Sequence, residues 1–455
     1  MKQSARSVRR ATAATRFLHP AQLITGGFAA AVAVGTGLLS LPFATASGER
    51  ADPFVALFTA TSAVCLTGLT TVDTGSYWSM SGEIVILLLI QVGGLGIMTL
   101  ATLFAVLFSH RLGLRARLLV QAETKALTLR GLRRVVRNIA LFSLAGEAIT
   151  AVMLTVALGI AHDRPWGNAA FEGIFHAVSA FNNAGLSPYA NNLHPYVGDP
   201  WVCLPVTAAV IVGGLGFPVV FELGRAWRRP RTWSVLTRIT LVLTVTLLAV
   251  GTVALTAAEY GNPRTLGPLS GPDKWLAGFF ASVVSRTAGF STVETGGLRP
   301  ESVLVMEVLM FIGGGSASTA GGIKVTTFGL LAFVMWAEVR GKPSVEVGRR
   351  QVPVTNQRQA LSISLMSIGV VVVAAFLLLA LSDHRLHEAL FEAVSAFSTV
   401  GLTTGITGDL STAAQVVLLV VMFTGRVGPL TLAYALALRE RTRRYELPEE
   451  RIIVG

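Results

Sequence analysis

One short pattern recurs four times in this chain, and every copy ends on a glycine. The copies read FTATSAVCLTG (Phe58 to Gly68), FHAVSAFNNAG (Phe175 to Gly185), FFASVVSRTAG (Phe279 to Gly289) and FEAVSAFSTVG (Phe391 to Gly401). Each starts with Phe, has Ala two residues on and closes on Gly ten residues on. A bulky apolar residue (Leu69, Leu186, Phe290, Leu402) and then a hydroxyl residue (Thr70, Ser187, Ser291, Thr403) follow each glycine. The glycines lie 117, 104 and 112 residues apart. A repeat on this scale constrains the fold before any single residue does. It predicts four similar pieces around one axis, and an axis through a membrane is a pore.

The membrane follows from composition. The chain is 52% hydrophobic and 14% charged, with a mean hydropathy of +0.62, too apolar for an ordinary soluble domain of this length. The net charge of +12 raises nucleic acid as a partner, but the charges sit in short clusters between apolar runs of about 20 residues, the length that spans a bilayer. Nucleic acid is therefore excluded as a partner class. Cys65 and Cys203 form no metal-ligand or disulfide spacing and read as small buried residues. No cofactor is expected in this chain. Ala21 to Phe43 is long enough to span, so the basic N-terminus leads into a retained helix rather than a signal peptide.

Each repeat reads as an apolar span, the patterned segment and a second apolar span. First spans are predicted near 21–44, 138–161, 236–258 and 360–382, and second spans near 83–108, 201–223, 302–336 and 412–438. The patterned segments, near 53–66, 168–183, 273–287 and 387–399, are too short and polar to cross. They read as re-entrant half-helices followed by extended backbone, which is tolerated at membrane depth only where protein or a watery cavity surrounds it. The predicted fold is an all-α polytopic membrane protein of four helix–pore-helix–helix repeats around a central pore. It has eight transmembrane helices and four re-entrant pore helices. The expected organisation is a cytoplasmic N-terminal segment (1–20), repeat 1 (21–110), a basic cytoplasmic linker (111–137), repeat 2 (138–225), repeat 3 (226–338), repeat 4 (339–438) and a cytoplasmic tail (439–455).

Charge sets the orientation. Of the 37 lysines and arginines, 28 fall in 2–16, 111–137, 225–238, 340–358 and 439–451. The positive-inside rule puts these segments, and both termini, in the cytoplasm of a cell membrane. The same clusters suit contact with lipid headgroups. The linker 109–137 has the composition of an amphipathic surface helix. The tail ends in Ile452, Ile453, Val454 and Gly455, an apolar terminus suited to docking or to fraying.

A cation leaving water needs replacement oxygens, and inward-facing carbonyls at a narrow place supply them. That backbone needs a positive φ, which glycine adopts at little cost. The short helices end just before the glycines, and their negative dipole ends favour a cation. The candidate filter strands are Leu66-Thr67-Gly68, Asn183-Ala184-Gly185, Thr287-Ala288-Gly289 and Thr399-Val400-Gly401. They contain no acidic residue, so selectivity would rest on backbone oxygen, as suits potassium rather than a divalent ion. A tight turn explains one such glycine but not four in register. The third copy departs, with Val283-Val284 where the others carry Ser-Ala.

The second spans carry a further aligned feature: VGGLG at 92–96 and 212–216, IGGGS at 312–316 and TGRVG at 424–428. No strand precedes them, so a nucleotide loop is a poor reading, and close packing or a bend suits the first two. The third opens the run Gly313, Gly314, Gly315, Ser316, Ala317, Ser318, Thr319, Ala320, Gly321 and Gly322, followed closely by Lys324. No stable helix is expected there. A flexible loop halfway along a pore-lining span would hang beneath the filter as a gate. Arg426 replaces a small residue in the fourth copy. A charge at membrane depth costs about 2.5–3.5 kcal/mol on insertion scales, so Arg426 should face the watery pore, the preferred reading, or pair with an acid such as Glu147. Glu172, Arg286 and Glu392 read as supports behind the filter, with Arg286 and Glu392 a candidate pair. Asp73 and Glu294 are either cation attractors at the mouth or ordinary loop carboxylates. His176 reads as a packing or hydrogen-bonding residue.

With the four repeats, one glycine in each, the strings SRTAGF and STVGLTTG and the run GGSASTAGGIK, the chain resembles the superfamily of potassium transporters containing TrkH, KtrB and plant HKT. The resemblance runs from about residue 20 to the end. The lack of an extra N-terminal helix pair, the SRTAGF string and the IIVG end look more like the KtrB type. It implies that potassium, the transported ion, binds at Gly68, Gly185, Gly289 and Gly401, that the glycine-rich loop is the intramembrane gate, and that Arg426 projects into the pore. It also implies a homodimer with one pore per protomer on a cytoplasmic KtrA-type ring that binds nucleotide. Serine at the first filter glycine accompanies sodium transport in plant relatives, so Gly68 favours potassium. The runner-up reading is a sodium- or proton-coupled symporter, which would need an intramembrane acid, Glu147 being the first-span candidate. A membrane enzyme is the reading from another class, and no nucleophile–base pair or metal cluster supports it.

Overall fold

The structure is a computed structural model and describes residues 20–109, 129–347 and 350–438. The expected N-terminal segment, the body of the amphipathic linker and the docking tail lie outside these residues. Repeat 1 contains α1 (Pro20–Leu39), α2 (Pro53–Cys65) and α3 (Met80–Ser109). Repeat 2 contains α4 (Leu129–Ala161), α5 (Trp166–Phe181), α6 (Pro200–Leu215) and α7 (Phe217–Ala226). Repeat 3 contains α8 (Val235–Glu259), α9 (Gly271–Ser285), α10 (Pro300–Phe311) and α11 (Val325–Val339). Repeat 4 contains α12 (Val354–Leu381), α13 (Leu386–Ser398) and α14 (Thr412–Leu438). A two-stranded antiparallel hairpin, β1 (Glu346–Val347) with β2 (Arg350–Gln351), joins the last two repeats. The chain is thus the mostly helical membrane fold that its sequence predicts.

Side-chain hydrogen bonds start three of the four short helices α2, α5, α9 and α13; α5 follows Pro165 without one. Asp52 caps α2, accepting from the Phe54 amide at 2.7 Å ahead of Pro53. Ser270 caps α9. Glu388 reaches back to the Arg385 amide at 2.9 Å to close the first turn of α13. Each short helix packs against long helices of its own repeat, and its leading Phe is buried between repeats: Phe58 joins Phe391 in the cluster built mainly by α10, α12, α13 and α14, and Phe175 joins the one built mainly by α1, α2 and α3. In the third repeat Phe280 is the fully buried ring, and the aligned Phe279 is only partly buried. Exposed side chains such as Ile149, Val245 and Phe376 coat the outside of α4, α8 and α12, which suits a hydrocarbon solvent.

Four helical stretches are long and apolar enough to cross a bilayer among the described residues: Arg134–Ala161, Val235–Glu259, Val354–Leu381 and Thr412–Pro429. The pair α6 and α7 makes a fifth if read as one bent span. In the span expected over 201–223, the structure takes the bend that the VGGLG string at 212–216 allows. The helix turns by 98° between Leu215 and Phe217, because Gly216 has φ +89 and ψ 146, a region open in practice only to glycine. The second span of repeat 3 is interrupted outright between Phe311 and Val325. The two breaks touch: a Cβ built on Gly216 would stand 2.5 Å from the Ser316 carbonyl oxygen of the glycine-rich loop.

Gly216→Ala is therefore expected to lower stability by about 1–3 kcal/mol, the cost of forcing a side chain into that backbone region. Gly224→Ala, in the helix just beyond and facing open space, should gain up to about 1 kcal/mol. Thermal unfolding of the two variants in detergent measures both.

Candidate cation site

The four candidate filter strands begin where the short helices stop. Leu66, Asn183 and Thr399 have φ of 57, 57 and 49, so three non-glycine residues hold the left-handed turn that ends a helix. The closures match. The Leu66, Asn183 and Thr399 amides donate to the carbonyls of Ala63, Ala180 and Ala396 at 3.2, 3.1 and 3.2 Å. The next amides, Thr67, Ala184 and Val400, donate to Ser62, Ser179 and Ser395 at 2.8, 2.8 and 2.9 Å. This double bond pattern satisfies the orphan carbonyls of a helix end. The third copy closes differently. Thr287, Ala288 and Gly289 all donate to the single Val284 carbonyl at 3.2, 2.9 and 3.2 Å, and Thr287 does not have positive φ.

The four glycines rejoin the pattern, with φ of +90 (Gly68), +72 (Gly185), +65 (Gly289) and +94 (Gly401). Their bare α-carbons form a closed circuit. A Cβ on Gly68 would meet the Ala184 carbonyl at 2.5 Å, one on Gly185 that of Ala288, one on Gly289 that of Val400, and one on Gly401 that of Thr67. Each strand therefore sets the carbonyl before its glycine against the glycine of the preceding repeat, and the fourth returns to the first. Glycine is needed here on two counts, backbone angle and close approach.

Side chains behind the strands hold this backbone. Ser62 Oγ accepts from the Gly68 amide at 3.0 Å and Ser395 Oγ from the Gly401 amide at 3.1 Å. Ser179 Oγ donates to the Leu186 carbonyl at 2.7 Å. Val283 stands at the matching place in the third copy and offers no such group. A second tie links the residue nine before the glycine to the hydroxyl two after it. His176 Nε2 meets Ser187 Oγ at 3.0 Å, while its Nδ1 meets the Glu172 carbonyl at 2.7 Å. Thr403 donates to Glu392, which also accepts from the Thr404 amide at 3.2 Å and from Thr407 at 3.0 Å.

Arg286 and Glu392 do not pair. They sit six residues apart in repeat register, and Arg286 donates instead to the Gly313 carbonyl at 2.9 Å. Glu172 accepts from the Tyr189 hydroxyl at 2.5 Å. Burial raises the Tyr189 phenol, and this bond raises it further. In the loop that follows the second strand His194 meets Ser291 Oγ at 3.0 Å, and burial holds its imidazole below the usual range. Asp73 caps a single helical turn, accepting from the Gly75 amide at 3.2 Å, and Glu294 lies exposed, 3.8 Å from Arg264.

The glycine-rich loop lies directly against the strands. Arg286, Lys324 and Arg426 each donate to one of its carbonyls, Gly313, Ala320 and Thr319 respectively. Within and below the loop, Ser318 Oγ donates to the Gly315 carbonyl at 2.7 Å and Ser316 Oγ meets Thr326 Oγ1 at 2.7 Å. The Gly315 amide donates to the Gly214 carbonyl at 2.8 Å. Gly321 abuts the Ser398 carbonyl and Thr399 Oγ1, and Gly322 has φ +65. Arg426 is buried, with Nε and Nη2 lacking partners among the described residues. It does not pair with Glu147, whose carboxyl accepts from Ser143 at 2.7 Å, Gln91 at 3.1 Å and Asn182 at 3.0 Å. No group of three or more His, Cys, Asp or Glu residues suited to a metal occurs among the described residues.

Comparison with known proteins shows the family. Residues 30–442 match the TrkH family, described as cation transport protein. The chain belongs to that family. It is 40% identical over 437 residues to the Ktr system potassium uptake protein B of Bacillus subtilis (strain 168), covering 96% of this chain and 97% of that protein. It is 40% identical over 419 residues to the protein of the same name from Vibrio alginolyticus, covering 92% and 91%. In three dimensions it resembles the crystal structure of the potassium transporter TrkH from Vibrio parahaemolyticus, with a TM-score of 0.71 and 21% identity over 93% of this chain and 86% of that one. That likeness is one of fold.

In this TrkH-family chain the left-handed residues before the glycines and the tie from nine before to two after are not predicted by the sequence. The hydroxyl after the glycine is the visible half of that tie in copies 2 and 4, where the other end is His176 or Glu392; the aligned Thr59 hydroxyl has no hydrogen-bond partner among the described residues, and Phe280 can make no such bond. Glu392→Ala would take the acceptor from the buried Thr407 hydroxyl and from the half-buried Thr403 hydroxyl and Thr404 amide, and is expected to cost about 3 kcal/mol, from roughly 1–3 kcal/mol per stranded group. Glu392→Gln keeps acceptor oxygen and should cost less than half as much. Thermal unfolding in detergent separates them.

Proposed function

We propose that this chain is the potassium-translocating subunit of an uptake system in the cytoplasmic membrane, working as a gated, filter-containing pore. The observation that carries this reading is the closed circuit of four glycines, each against the carbonyl of the next strand. Such a circuit gathers backbone oxygens around one axis at the negative ends of short helices, which is what a dehydrated monovalent cation needs. The strands contain no acid, which favours potassium over a divalent ion, and the two relatives at 40% identity are named as potassium uptake proteins. Gly68, Gly185, Gly289 and Gly401 would bind the ion, with the carbonyls of the residues before them. Residues 313–322 would be the gate, held shut by Lys324 and Arg426. The names of those relatives refer to a system, which supports a separate cytoplasmic regulatory subunit of the nucleotide-binding KtrA type. The homodimer is carried over from the family resemblance, and both termini in the cytoplasm fit the charge pattern. No enzymatic role is proposed.

The symporter alternative would use Glu147. Its carboxyl is already engaged by Ser143, Gln91 and Asn182, which favours the uncoupled pore. Potassium flux into liposomes with and without a sodium gradient decides between them: flux that follows the potassium gradient alone supports the pore, and flux that needs sodium or protons supports the symporter. Within the pore reading, Gly68→Ser should cut potassium-over-sodium discrimination by roughly tenfold, since a stranded or added ligand at the ring is worth about 1.4 kcal/mol or more. Competitive uptake in cells lacking other potassium uptake measures it, and unchanged selectivity in a well-expressed variant would falsify the filter assignment. Shortening 313–322 by several residues should raise flux several-fold and free it from the regulator, because a coupling of roughly 1–3 kcal/mol is enough to bias such a loop. Low, still nucleotide-controlled flux in the folded deletion variant would move the gate elsewhere.

A further inference from the structure

One filter residue touches both another filter strand and the glycine-rich loop. Asn183 is buried and left-handed, and its side chain runs away from its own backbone closure. Asn183 Nδ2 donates to Thr287 Oγ1 of the third strand at 2.5 Å. Thr319 Oγ1 of the loop donates to Asn183 Oδ1 at 3.0 Å. The Thr319 carbonyl in turn receives Arg426. The result is a continuous chain from Arg426 through the loop and the second strand to the third strand.

Its position answers a local deficit. The third strand lacks the serine that braces its counterparts, because Val283 stands there, and it lacks the double closure of the other three. Asn183 supplies a side-chain brace in its place. The matching residues in the other strands do not do this. Leu66 has no polar side-chain group, and the Thr399 hydroxyl has no hydrogen-bond partner among the described residues. The amide of Asn183 is also polarised in one sense only. The Val210 carbonyl, which can only accept, also takes a bond from Asn183 Nδ2 at 3.4 Å and so fixes the nitrogen on the Thr287 side, leaving Oδ1 to accept from Thr319. If the loop moves, Oδ1 loses its donor inside a buried site, and an unsatisfied buried amide reorients or draws in water.

We propose that Asn183 is a positioning residue that couples the glycine-rich loop to the third filter strand, so that cation discrimination depends on the loop's placement and not only on the four glycines. This inference rests on the reading of the strands as a cation filter and of 313–322 as the gate. It assigns Thr319 and Thr287 to one relay, although they lie in different functional parts and 32 residues apart in sequence.

The test uses the full-length protein in detergent and reads cation binding as the rise in unfolding temperature during potassium and sodium titrations, since a ligand that binds only the folded state stabilises it. Thr319→Val removes the donor with little change in shape. Thr287→Val removes the acceptor without touching the loop. Thr319→Ser keeps the donor. Asn183→Leu copies the residue found at position 66. Thr319→Val and Thr287→Val should each shift the potassium midpoint, or the ratio of potassium to sodium midpoints, by roughly two- to tenfold, the range that one net hydrogen bond carries. Thr319→Ser should behave as the parent. Thr319→Val combined with Asn183→Leu should shift no further than Asn183→Leu alone, because both act through one link. Midpoints unchanged in both valine variants, or shifts that add in the double variant, overturn the relay. If Thr319→Val does not fold, Thr287→Val alone decides by the same criterion. If the parent shows no cation-dependent stabilisation, the filter reading fails and the relay falls with it, an outcome distinct from a responsive parent with unresponsive variants.

Discussion

The contact on which the rest depends is between a peptide carbonyl and a bare α-carbon. The carbonyls of Thr67, Ala184, Ala288 and Val400 each lie where a side chain on the preceding repeat's glycine would be. Four such contacts close a circuit only if all four residues lack a Cβ, so the constraint is collective. The second spans repeat the logic one layer out. Gly93, Gly213 and Gly425 lie against the carbonyls of Val64, Phe181 and Phe397 at the ends of the short helices. Glycine lets a long helix approach a helix terminus whose carbonyls are already turned inward. The candidate ion path is thus built from backbone, with backbone packed behind it.

The circuit holds four strands that are not equivalent. Strands 1, 2 and 4 share one helix closure, and strands 1 and 4 also share a serine brace on the glycine amide. Strand 3 has neither, and its repeat also carries the interrupted second span. The asymmetry is concentrated on one side of the axis, where Arg286, Asn183, Thr287 and the loop meet. A symmetric ring with one differently supported quarter suits local control, because a change confined to that quarter leaves three strands in place.

The register of the four glycines makes the circuit legible in the sequence, because only glycine tolerates both positive φ and so close an approach, and the four copies repeat that requirement at one position. The run from Gly313 to Gly322 likewise predicts the break in the repeat 3 span, since so many glycines cannot hold a helix. The bend at Gly216 is only half legible, because packing or a bend suits both copies of one string: VGGLG at 92–96 runs straight through α3, while the same string at 212–216 ends α6. Pro218 follows in one case and Met98 in the other, and the neighbouring loop packs against the bend, so tertiary context decides. The left-handed Leu66 is equally hidden, because leucine has no local preference for that conformation. The pairings of Arg286 with Glu392 and of Arg426 with Glu147 fail because charge complementarity is visible in sequence and depth is not. Each of these groups is held instead by backbone carbonyls, hydroxyls or amides close to its own level.

The central claim is that the four glycine strands together form one cation site on a common axis. Crystals of the protein grown or soaked in thallium or rubidium, both stand-ins for potassium, would locate it by anomalous scattering. The account predicts a peak on the axis enclosed by Gly68, Gly185, Gly289 and Gly401, with oxygen from all four strands around it. A peak held by side chains away from that axis, or a circuit without bound ion at saturating cation, would contradict it.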